Sequence, residues 1–228
     1  MSSRSLFTGT IAACTLLSGG IALGLDINIT NNDPSAYHLT NSLGQSLNEG
    51  SAMLGIFNSD SWSYNTDTSK WTFEGNSYDQ GNLTYSQLAD IRNSFHNTLT
   101  NIPEEQNGSV TNGFFTLGGQ YQAPSSLDTP VYLMVTGADG DLAVFVFKST
   151  TTDDAILNYS DLDPSSPSLF ELWLTSKDQV TEQSYYAECI LGNVNLENGT
   201  VQLLVPEPAT ATLGLLGLAA LMMRRRRQ

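Results

Sequence analysis

Cysteine is nearly absent from this 228-residue chain, with Cys14 and Cys189 the only two. Cys14 lies in an apolar N-terminal stretch that reads as a removable leader, so Cys189 is left alone and an internal disulfide is excluded from the remaining domain. Histidine is as scarce, and His38 and His96 alone do not make a His-rich metal centre. Basic residues number nine against 23 acidic ones, and five of the nine, Arg4 and Arg224 to Arg227, sit at the two ends. Between these ends, through Pro208, the chain keeps only Lys70, Arg92, Lys148 and Lys177, four positive charges against 23 negative, or −19. Such a balance excludes binding to nucleic acid or to an anionic membrane surface by charge. Its plain consequence is a solvated surface that repels its own copies. Two catalytic signatures are also missing: there is no Gly-x-Ser-x-Gly elbow and no phosphate loop.

What the chain does have is concentrated first at its ends. Met1 to Gly24 carries one positive charge, Arg4, then an apolar stretch with Leu6, Phe7, Ile11, Leu16 and Leu17, then Ala22-Leu23-Gly24. Small residues at 22 and 24 fit a secretory cleavage site, so residues 1–24 read as a signal peptide and the mature chain is expected to begin near Leu25. Ile11-Ala12-Ala13-Cys14 is a rival, since it looks like a lipobox that would make Cys14 a lipidated N-terminus. Against it, the apolar stretch continues beyond Cys14 through Ile21 and Leu23.

At the other end come Pro206-Glu207-Pro208, an uncharged run from Ala209 to Met223, and then Arg224, Arg225, Arg226 and Arg227. Four arginines directly behind an apolar run stop translocation and keep their charge cytoplasmic. The run has 15 residues. As a helix it reaches about 22 Å, short of a hydrocarbon core of roughly 30 Å, which suits a temporary anchor better than a permanent one. Pro206 and Pro208 favour extended backbone with Glu207 presented between them, a form suited to a protease.

This order of motif, apolar helix and basic stop resembles the PEP-CTERM sorting signal of Gram-negative surface proteins. The resemblance covers only the tail, residues 206–228. It implies export, a transient inner-membrane anchor and cleavage by an exosortase-type protease, often alongside exopolysaccharide production. It implies nothing about the activity of the domain.

Between the signals, residues 25–205 read as one acidic β-rich domain. Apolar residues come in short runs separated by turn formers: 52–57, 71–74, 114–117, 131–136, 142–148, 169–174 and 200–205. This pattern predicts an antiparallel β-sandwich resembling a jelly roll. The strongest hairpin is 131–148, whose two strands are apolar at nearly every position and so belong at the centre of a sheet, linked by Gly137-Ala138-Asp139-Gly140-Asp141. One amphipathic helix is expected over Tyr85 to Leu99. Leu88, Ile91, Phe95 and Leu99 recur at helical spacing, and Thr84 with Gln87 forms a capping box.

Candidate chemistry is thin, and no catalytic residue or required cofactor is expected. Cys189 sits in Glu188-Cys189-Ile190-Leu191, which reads as a core strand rather than a nucleophile's setting. Glu104-Glu105 and Asp153-Asp154 would serve glycoside hydrolysis only if the fold opposed two carboxylates across a cleft. Calcium is the cofactor to weigh, with Asn58, Asp60, Asn65 and Asp67 in one loop and Asp139 and Asp141 in the hairpin link as oxygen donors. No twelve-residue EF-hand is present, and Asp and Asn are ordinary turn residues. Trp62, Tyr64 and Trp71 among Ser, Asn and Asp suggest a platform for sugar rings, while inward packing of the same rings is the competing expectation. The reading from sequence is a non-enzymatic exported cell-surface or extracellular-matrix protein, with extracellular polysaccharide a partner to test. A carbohydrate-binding module and, behind it, a glycosidase are the alternatives.

Overall fold

A computed structural model of the chain describes residues 26–33, 36–57, 62–100, 102, 104–121, 128–162, 170–179 and 184–204. The expected leader, the tail from 206 onward, and Asn58 and Asp60 lie outside the described residues. Among the described residues no helix is long and apolar enough to cross a membrane.

The domain is mainly β. In chain order its strands are β1 (Asp26–Thr30), β2 (His38–Thr40), β3 (Gly50–Phe57), β4 (Ser63–Asn65), β5 (Lys70–Phe73), β6 (Asn76–Tyr78), β7 (Phe95–Asn97), β8 (Leu99–Thr100) and β9 (Ser109–Val110). There follow β10 (Thr116–Tyr121), β11 (Tyr132–Thr136), β12 (Leu142–Ser149), β13 (Phe170–Trp173), β14 (Tyr185–Leu191), β15 (Asn193–Asn195) and β16 (Thr200–Gln202), and one helix, α1, spans Tyr85–Asn93.

The central sheet has the order β14-β12-β11-β3-β7, with β9 also paired to β3. Alternation sends its side chains to two cores. Leu54, Leu133, Val135, Ala143, Phe145 and Phe147 face the first, where Ile27, Ile29, Leu117 and Leu172 of a second sheet, β13-β1-β10-β8, meet them. Tyr132, Met134, Val144 and Val146 face the other core, together with Trp62, Trp71, Leu88, Ile91 and Phe95. The β4-β5-β6 meander and α1 supply that cover. The strands of the 131–148 hairpin are thus buried on both faces, as their continuous apolar pattern implies. Their link closes with Gly137 N–H to Asp141 O at 2.8 Å and Gly140 N–H to Gly137 O at 3.2 Å.

Two pairings depart from the antiparallel expectation. β1 runs parallel to β13, and β2 runs parallel to β16. Late strands therefore return beside the first two, which no local sequence pattern announces.

The helix is shorter than its periodicity predicts. Its start is as expected, with Thr84 N–H donating to Gln87 Oε1 at 2.8 Å and Gln87 N–H to Thr84 Oγ1 at 3.4 Å. It ends at Asn93, where Ser94 turns its hydroxyl back to Ile91 O at 2.9 Å. Phe95 then opens a strand paired to Phe57. The spacing of Phe95 and Leu99 satisfies both readings, and strand pairing wins, β7 on the central sheet and β8 on the second, because it satisfies the backbone as well as burying both side chains.

Candidate functional site

Trp62 and Trp71 do not form a platform. They are 1% and 0% exposed, whereas a sugar needs an open ring face. The alternation Trp71-Thr72-Phe73 along β5 and the stacking of Trp62 on Phe73, with centroids 5.0 Å apart and planes 16° apart, turn the cluster inward. Tyr64 is half-buried and meets Trp71 edge-on at 5.5 Å. The expectation of inward packing describes this cluster, and its physical reason is the apolar outer face of the central sheet that it covers.

The acidic candidates are placed apart from one another. Asp67 is exposed in the turn between β4 and β5, while Asp139 and Asp141 share the 137–141 link. Among the described residues no three His, Cys, Asp or Glu side chains gather to hold a metal ion. Asp141 is 3% exposed, and burial raises its carboxyl above the usual range, partly offset by N–H groups from its own backbone and Ser42. Its Oδ1 lies against Gly137, where a Cβ would come within 2.0 Å. Asp141 therefore clamps the link, and glycine at 137 makes room for it. Asp139 and Asp141 also line a polar cleft of about 400 Å³ with Asn41, Gln45 and Asn48.

Nucleophiles are poorly set. The Cys189 thiol is pushed up to about 12, first by burial, and donates to Leu191 O at 3.3 Å. It is a neutral thiol at physiological pH. Cys189 is partly buried with a raised pKa, so folded protein is expected to consume a thiol-reactive disulfide reagent much more slowly than denatured protein, which should take one equivalent per domain. His38 Nε2 lies 2.9 Å from Ser46 Oγ, but this pair is on the open surface, without the dry surroundings that make such contacts catalytic. Asp154 is held below the usual carboxylate range by its hydrogen bond with Lys177, whose Nζ lies 2.6 and 2.7 Å from the two oxygens.

The groove with the most varied chemistry is one that sequence reasoning did not assemble. About 410 Å³ of open space is lined by Asn32, Glu104, Glu105, Asn107, Ser109, Phe114, Phe115 and Thr116. Asn112 and Gly113, with φ of 51° and 80°, build a tight turn closed by reciprocal Thr111 and Phe114 hydrogen bonds of 2.9 and 3.0 Å. That turn presents Phe114, 38% exposed, with the His38 ring edge-on at 4.9 Å. Asn107 Oδ1 accepts from Ser109 N–H at 2.9 Å, which fixes the plane of its amide. Glu104 and Glu105 are consecutive on one short 3₁₀ turn. Both therefore stand on one wall, and among the described residues no other carboxylate lines this groove. It offers carboxylates, amides, hydroxyls and one exposed apolar ring, Phe114.

Residues 204–227 match the family model of the PEP-CTERM protein-sorting motif. No curated protein and no solved structure matches the chain. The C-terminal tail is thus a PEP-CTERM sorting signal, and it implies an exported, membrane-anchored precursor processed by exosortase-type machinery.

Proposed function

We propose, from a tail that carries this sorting motif, that the chain is a non-enzymatic protein of the cell surface or extracellular matrix. Its precursor is held in the inner membrane by residues 209–223, is cut near Pro206-Glu207-Pro208, and releases residues 25–205 as an acidic domain. The motif at 204–227 carries the reading. The raised Cys189 thiol and the one-sided carboxylates of the groove support the non-enzymatic part. The test compares a host with and without its exosortase. Surface or medium protein in the first and full-length membrane-bound protein in the second is the expected result, and the same size and location in both would refute it.

One observation favours a narrower role as a carbohydrate-binding module: the open Phe114 ring beside Glu104, Glu105 and Asn107. Phe114→Ala removes one ring contact, worth roughly 1 kcal/mol, so cosedimentation with the host's extracellular polysaccharide should weaken about fivefold. Unchanged retention by Phe114→Ala would remove the groove from consideration.

A further inference from the structure

We infer that the end of the domain from which the tail departs is an interaction surface, and that its partner is the membrane-embedded protease that cuts the tail. The inference rests on the processing reading above. Leu204 and Leu142 exchange N–H and C=O at 3.0 Å in both directions, and Leu203 N–H donates to Thr40 O at 2.9 Å. Leu203 is 1% exposed. The chain is therefore held in the domain through Leu204, the very residue at which the sorting motif begins.

Distance then restricts what can stand between domain and membrane. Pro206 is two positions beyond Leu204, and two extended residues cover at most about 7 Å. The five steps from Leu204 to Ala209, where the apolar run starts, cover at most roughly 17 Å. One headgroup layer takes about 5 to 7 Å of that. A protease engaged on Pro206 to Pro208 has no spacer to work on and must meet the folded domain.

Several segments converge at this end. β16 runs beside β2, and Gln202 donates from Nε2 to Ser42 O, joining the tail exit to the turn at 41–45. Asn41 Oδ1 accepts from Leu43 and Gln45 N–H, both at 3.0 Å, so the turn is rigid. Leu43 at its tip is 80% exposed. The Asp141 carboxylate accepts from Ser42 N–H and so adds the 137–141 link, with exposed Asp139, to the same end. A lone exposed leucine is ordinary on any surface, and here its position beside the exit distinguishes it. Leu196 is a matched control, 64% exposed in the turn that precedes β16 and so at the opposite end of that strand from Leu204.

Pulse-chase of the full precursor in its host tests this. Leu43→Asp and Leu43→Lys should each slow conversion to the mature form at least fivefold, while Leu196→Asp converts at the wild-type rate. A ten-residue Gly-Ser spacer after Val205 should remove the Leu43 effect, because the protease then no longer needs the domain. Wild-type rates for both Leu43 variants, or slow conversion of Leu43→Asp with the spacer present, would overturn the inference. Residues 206–228 fused through a spacer to an unrelated exported carrier separate the two readings. A carrier that is cut leaves the processing reading standing whatever the Leu43 variants do, and one that stays uncut removes that reading and this inference with it.

Discussion

Trp71→Ala is expected to destabilise the domain by about 4 kcal/mol, within the range for removing a large buried aromatic. Trp71 is 0% exposed and packs edge-on against Phe57 at 5.3 Å. Its second role lies in the backbone. Val144 pairs with Leu191 and Phe145 with Cys189, so Ile190 is an extra residue in β14, a bulge outside the ladder. The Trp71 indole N–H donates to Ile190 O at 3.1 Å. Alanine would thus leave a cavity and also strip a buried carbonyl of a partner. Trp71→Phe separates the two costs, since it keeps most of the apolar volume and loses the donor, and should cost about 1 to 3 kcal/mol. Denaturant unfolding of the processed protein measures both. A loss under about 1 kcal/mol for Trp71→Ala would show that the meander is not part of the cooperative core.

Asn31→Ala should be nearly as severe, at roughly 3 to 5 kcal/mol, with far less volume removed. Asn31 is 0% exposed. Its Nδ2 donates to Tyr37 O at 2.9 Å and to Gly113 O at 2.8 Å, while Oδ1 accepts from Phe115 N–H at 2.7 Å. One amide therefore ties the end of β1 to the segment before β2 and to the turn that presents Phe114. Removing it leaves two carbonyls and one N–H without that partner, and each buried unsatisfied group costs on the order of 1 to 3 kcal/mol. Asn31→Asp discriminates bonding from packing. It keeps the shape but points an oxygen at two carbonyls, so it should be no more stable than Asn31→Ala. Recovery of wild-type stability in Asn31→Asp would contradict this account.

These two residues show where local pattern stops being informative. The 131–148 hairpin, the Thr84 capping box and strands such as β3, β5, β11 and β12 are each decided within a few residues, by an Asp-Gly link, a reciprocal bond or an apolar run, and were legible. Strands β1, β2, β4, β6, β9 and β15 are too short or too polar to announce themselves, and were not legible. The end of α1 was not, because four-residue spacing at Phe95 and Leu99 fits a helix face and a strand-turn-strand equally well. Trp62 and Trp71 among polar residues look like a surface until the apolar face that they cover is known, and apart from Phe57 of β3 that face comes from β11, β12 and β14, about 60 to 130 positions away. Asn31 reads as a turn residue, and only topology brings Gly113 and Phe115 to it. The groove has the same origin: Asn32, Glu104 and Phe114 are distant in sequence and meet because β1 pairs with β10. The tail lies at the other extreme. Its motif, apolar run and arginines are contiguous, so the signal needed no fold to be read.

The central claim is that this chain is a two-signal precursor whose final product is the acidic β domain. Intact mass of the protein recovered from its native host, from soluble and membrane-extracted fractions, tests it most directly. A product that starts near Leu25 and ends between Pro206 and Pro208 is the predicted result. A product that retains Arg224 to Arg227 would contradict the processing account and leave a tail-anchored membrane protein in its place.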